Sequence, residues 1–183
     1  MKQKNKVLQL FIIKFFVSYG IMVGLYSYYL NKTQKKETVF TCSPITTKVA
    51  NQTVKMIAIL GYNAKVEQHQ NELSIKIWIN KNYVSRVIEG CNSINIIILF
   101  LAFIIAFSGS LKVTIIYGIV GSLLIYSTNI FRIAILSIGI LEYPKHQNIL
   151  HNIVFPAIIY GMVFLLWIIW VNKFSNYKKL RND

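Results

Sequence analysis

The chain is poor in acid: six Asp or Glu stand against twenty Lys or Arg in 183 residues, for a net charge of +14. It is also poor in cysteine, with only Cys42 and Cys91. No CxxC, HExxH, Gly-rich phosphate loop or cluster of metal-ligating residues occurs, which leaves redox, zinc-protease and nucleotide functions without a sequence basis. No cofactor is expected. A charge of this size in a soluble domain would suggest nucleic acid, but the lysines here concentrate in the tails and one loop. Contact with anionic lipid headgroups accounts for them, and no nucleic acid is expected as a partner.

What the chain has in abundance is apolar sequence. Hydrophobic residues make up 55% of it and the mean hydropathy is +0.50, too high for one ordinary soluble core. The fold class expected is an all-α polytopic membrane protein in a single membrane domain. The first apolar run, residues 7–30, is long enough to cross a hydrocarbon core about 30 Å thick. It follows Lys2, Lys4 and Lys6 and resembles a signal peptide in charge order. However, no small-x-small cleavage site closes it, so it is read as a retained anchor. Gly20 and Gly24 make a small-xxx-small pair on it.

Residues 31–90 form the one sizeable polar region. Val49, Val54, Met56, Ile57 and Leu60 recur there with a loose helical period, suited to an amphipathic helix on a membrane surface. Near-alternating Val66, Leu73, Ile75, Ile77, Ile79, Val84 and Val87, broken at Asn71-Glu72 and Asn80-Lys81-Asn82, predict two or three short strands. This small β element delivers the chain to Glu89-Gly90-Cys91-Asn92-Ser93.

Further crossings are expected at residues 92–108, 113–131 and 151–172, with a basic cytoplasmic tail at 173–183. The apolar stretch 133–142 is too short to cross alone, since its nine residues before Glu142 span about 14 Å as helix. It is read as re-entrant or interfacial, unless it extends the preceding helix. Four crossings place the amino terminus, the Lys112 turn and the tail inside, in keeping with the enrichment of Lys and Arg in cytoplasmic loops. The 31–90 loop, with nine Lys or Arg up to Glu89, then lies outside. Long loops obey that rule weakly.

With four crossings, Cys91 opens the second helix, Arg132 ends the third and His151 opens the fourth, all on the outer surface. A thiolate at a helix amino terminus near cations is stabilised by unpaired backbone N–H groups and by positive charge. Cys91 is thus the candidate nucleophile, Arg132 the clamp for a developing oxyanion, and His151 the group that moves protons near neutral pH. Asn129 shares the helix face of Arg132 and would hold the guanidinium or the substrate backbone. His69 and His146 are read as solvent residues. An oxidising compartment permits a Cys42–Cys91 disulfide, which would inactivate the nucleophile; the thiols are taken here as free.

The Cys91 pentapeptide, Asn129-Ile130-Phe131-Arg132 and His151 together resemble the exosortases and archaeosortases, over roughly residues 62–174. The short spacing is closest to the F-type exosortase-family proteins of Bacteroidetes. Many members carry Ser-Gly or Ala-Gly after the cysteine, where this chain has Asn92-Ser93, and a glycine soon after the histidine, where it has Phe155-Pro156. The resemblance implies a cysteine peptidase or transpeptidase in the inner membrane, with an extracytoplasmic site. Its substrates would be secreted proteins held by a carboxyl-terminal hydrophobic helix and basic tail. The competing class is a non-enzymatic membrane scaffold or assembly factor whose outer loop binds a partner.

Overall fold

Lipid-compatible runs of Ile, Leu, Val and Phe dictate helices, because a backbone crossing hydrocarbon must satisfy its polar groups internally. In the computed structural model, which describes residues 2–34, 40–107 and 109–174, the chain is mostly helical. Helix α1 covers Lys2–Thr33, α3 Ile94–Ala106 and α4 Leu111–Glu142. A final helical run, Pro144–Phe174, contains the short α5 (Gln147–Ile149) and then α6 (Phe155–Ile169). Among the described residues, three stretches are long and apolar enough to cross a membrane: Leu8–Thr33, Leu111–Glu142 and Pro144–Phe174. The tail expected at 173–183 lies, beyond Phe174, outside the described residues.

The thirteen residues of α3 are shorter than a usual span. It nevertheless lies along the long helices. Phe100 faces Gly121 of α4, and Leu101 and Ile104 face Gly118. On its other side, Phe11 of α1 meets Phe107, with ring centroids 4.3 Å apart, while Tyr26 reaches Asn92 at the opposite end. Both α1 and α4 are therefore antiparallel to α3. Phe100, Ile104, Ile125, Ile159, Val163 and Trp170 are buried together as the core of this bundle. The opposite surface of α1 leaves Phe16, Ile21 and Leu25 exposed, as a lipid-facing helix does.

The polar region builds a cap at one end. Ser43 caps α2 (Pro44–Ile59), which carries proline in its first turn, where a missing N–H costs nothing. Strands β1 (Ala64–Gln68), β2 (Ser74–Ile79) and β3 (Asn82–Ile88) form an antiparallel sheet in the order β1-β2-β3. Asn80 and Lys81 both have positive φ, 48° and 68°, the conformation a tight two-residue hairpin requires. Ile75, Ile77, Ile79 and Val87 turn to the inside of the sheet. There they join Val49, Ala50 and Ile57 of α2 with Ile133 and Ala134 of α4. The apolar face of α2 thus packs on protein, not on a membrane surface as its period suggested.

Residues 133–142 are not a separate segment: they continue α4 without a break, so they extend the preceding helix. The cause is their second use. At 1.5 Å per residue, the twenty steps from Lys112 to Arg132 already cover about 30 Å, one hydrocarbon thickness. Beyond Arg132 the helix is apolar because it is core for the cap, with Ile133, Ala134, Leu136 and Ser137 buried. Ser137 Oγ lies 2.7 Å from Ser85 Oγ of β3.

Candidate functional site

Between the bundle core and the cap core lies the turn carrying Cys91. After β3, Glu89–Cys91 makes a single 3-10 turn, and Ser93 adopts left-handed φ of 65° before α3 begins at Ile94. Asn92 Oδ1 accepts the Ile94 N–H at 3.0 Å. Cys91 therefore precedes α3 by three residues, and one of the free first-turn N–H groups anticipated for its sulfur is already used by Asn92.

Glu89 fixes this turn from the cap side. Its carboxylate accepts from Ser43 N at 2.7 Å, from Ser43 Oγ at 2.8 Å and from Thr46 Oγ1, all at the start of α2. Asn92 Nδ2 donates to Glu89 Oε2 at 3.3 Å, to Thr46 Oγ1 at 3.0 Å and to the Tyr26 hydroxyl of α1 at 2.7 Å. A carboxylate at a helix amino terminus is favourably placed against the helix dipole. The result is a polar clasp joining α1, α2 and the residues on both sides of Cys91. One local signal for it exists in the sequence, an acid two residues before the cysteine, but its partners come from distant segments.

From the bundle side the turn is held by α4. Asn129, 1% exposed, donates from Nδ2 to the Cys91 backbone oxygen at 2.8 Å. The reversed amide would set two acceptors against each other, so this orientation follows from chemistry. Its Oδ1 is buried with no hydrogen-bond partner among the described residues, and the same is true of Arg132 Nε one turn further on. Half-buried Cys91 thus sits beside a helix face bearing a spare acceptor and a spare donor.

His151 is placed more loosely. It lies in a widened turn, Leu150–Val154, ahead of Pro156, whose ring excludes an ordinary helical hydrogen bond to Asn152. It is exposed and forms no hydrogen bond to Cys91, Asn129 or Arg132. Its neighbour Leu150 approaches Gly139, seven residues beyond Arg132 on α4. His151 is therefore at the cap end of α4, but about 10 Å further along that helix than Arg132.

The remaining candidates stand apart. His146 is exposed, and His69 Nδ1 accepts the Asn71 N–H at 3.2 Å within its own loop. Both cysteines are free thiols. Cys42 is 2% exposed and accepts from Gln68 Nε2 at 3.8 Å. Burial pushes its thiol above the ordinary range, the Gln68 bond opposes this, and the Glu89 charge adds to it. No group of three or more His, Cys, Asp or Glu is arranged for a metal among the described residues.

Compared with known protein families, residues 7–172 match the transmembrane exosortase family, and the chain belongs to it. No curated protein matches the chain. No solved structure matches it either.

Proposed function

We propose, from that membership and the arrangement around Cys91, that the chain is a membrane cysteine peptidase or transpeptidase. It cuts carboxyl-terminal sorting signals of secreted, membrane-anchored proteins. The supporting observation is the Asn129–Cys91 hydrogen bond, which ties the cysteine turn to the stretch of α4 that carries Arg132. In this reading the Cys91 thiolate attacks the scissile carbonyl, and Arg132 receives the negative charge on its oxygen. Such a donor is worth about 3 to 4 kcal/mol of barrier lowering. The C–N bond then breaks, His151 delivers a proton to the leaving amine, and the acyl group remains on sulfur as a thioester. An incoming amine or water, deprotonated by His151, attacks the thioester and restores the thiol.

Four crossings suit the geometry, with α3 as the second, since it lies antiparallel between α1 and α4 despite its length. The cap, Cys91, Arg132 and His151 are then extracytoplasmic on an inner membrane, in the manner of the short F-type members. An apolar cavity of about 400 Å³ between α3 and α4, lined by Leu101, Ile104, Ile115, Gly118 and Leu123, offers the hydrophobic helix of a substrate a place beside the Cys91 helix. Beside Gly20 and Gly24 of α1 there is also open space.

The test is replacement of Cys91 by Ala in cells, followed by sizing of anchored proteins with basic tails. Uncut precursors should accumulate. Trimming at the normal rate would overturn the peptidase reading and favour a scaffold.

A further inference from the structure

Buried polar atoms without partners are rare in folded proteins, because each loses its hydration without replacement. Asn129 Oδ1 and Arg132 Nε are two of them, one turn apart on α4, and Asn129 itself is bonded to the Cys91 turn. They are complementary in kind: one accepts and the other donates. An extended peptide offers both matching groups, N–H and C=O, whatever its side chains. The amide nitrogen of Asn129 already donates to the Cys91 carbonyl, so only its oxygen is left for a ligand. Open space lies beside Gly90, where an added Cβ would have no neighbour within 4 Å, so a chain can approach the turn there.

We propose that Asn129 is a two-sided positioning residue: its Nδ2 fixes the Cys91 backbone while its Oδ1 accepts one backbone N–H of the substrate, registering the peptide against the sulfur. The inference rests on the peptidase reading and adds to it a side-chain-independent element of substrate recognition. It also assigns both faces of one amide, so loss of Asn129 removes a backbone contact and loosens the nucleophile together.

The experiment uses the full chain in detergent with three-residue alanine chloromethyl ketones, whose alkylation of Cys91 is followed by intact and peptide mass spectrometry. Each backbone N–H of the probe is replaced in turn by an ester oxygen, with chloroacetamide as the reference for bare thiol reactivity. In the wild type, one ester position should slow labelling about tenfold, the size of one hydrogen bond between neutral partners. In Asn129→Ala, amide and ester probes should label at rates within about twofold of each other. In Asn129→Gln, which keeps both an amide donor and an acceptor oxygen, the ester penalty should return. Thermal unfolding of each variant in detergent shows whether it remains folded; if Asn129→Ala is unfolded, the wild-type ester scan and Asn129→Gln decide.

An ester penalty in Asn129→Ala equal to that of the wild type would overturn the proposal. So would the absence of any penalty in a wild type that the peptide probes label much faster than chloroacetamide does, and in either case the peptidase reading stands. Peptide probes no faster than chloroacetamide would count against both.

Discussion

Ser93 holds a backbone conformation that suits glycine, at φ 65°. Many of the family members that the Cys91 segment resembles carry glycine at this place, and the structure supplies the reason: the chain must turn sharply to pass from the 3-10 turn into α3. Ser93→Gly should therefore be tolerated and stabilise by about 0.5 to 1 kcal/mol, measured as thermal unfolding in detergent. Glu89→Ala should act in the other direction. It strips Ser43 and Thr46 of their acceptor and costs about 2 to 4 kcal/mol, while Glu89→Gln, which keeps an acceptor, costs less.

The two cysteines differ as sharply. Cys42 is buried and its thiol is pushed up, so it stays protonated at neutral pH, whereas Cys91 is reachable. Maleimide at pH 7.5 should modify Cys91 at least about tenfold faster than Cys42, and the Cys42 rate should rise steeply with pH. The sign carries over to stability: an unfolded chain releases the Cys42 proton at lower pH than the folded one, so this group favours unfolding as pH climbs through the ordinary thiol range. Cys91 was legible as a candidate because a cysteine at the junction of polar and apolar sequence is visible locally. Glu89, Asn92 and Tyr26 were not read as one unit, since their partnership depends on chain segments up to 66 residues apart.

At the scale of elements, α4 decides the architecture. Its near end packs so closely on α3 that a Cβ on Gly121 would fall 2.3 Å from Phe100 Cζ, with Phe100 fully buried. Gly121→Ala should cost about 1 to 3 kcal/mol, and Phe100→Leu in the same chain should recover part of it. Detergent melting of the two single variants and the double variant measures this coupling. Its far end explains where sequence reading stops. An apolar run of nine residues carries no mark distinguishing a half-span from the continuation of a helix into a second core. Only the sheet and α2 packed against Ile133 and Ala134 show which it is. Helical period in α2 and alternation in the strands were visible for the opposite reason, because each element repeats its own pattern within a few residues.

On the whole-molecule scale, two cores meet at one plane, and the residues of interest gather there or just beyond it. The bundle core is built from α3, α4 and α6, the cap core from α2, the sheet and the end of α4. In the proposed orientation the cap is outside, so a membrane-impermeant maleimide added to intact cells should label Cys91 in a Cys42→Ala background. A cysteine introduced at Lys112, at the other end of α4, should remain protected until the membrane is opened. Labelling of the Lys112→Cys position instead of Cys91 would invert the topology.

The central claim is covalent chemistry at Cys91, and it is tested most directly by looking for the bond. Protein isolated from its native membranes during active secretion, digested and mapped by mass spectrometry, should carry on the Cys91 peptide an acyl group that hydroxylamine removes. Its mass should correspond to the trimmed carboxyl-terminal residue or segment of a secreted protein, and it should vanish in Cys91→Ala as uncut precursors build up. An unmodified Cys91 peptide under those conditions, with precursor trimming intact in Cys91→Ala, would contradict the account.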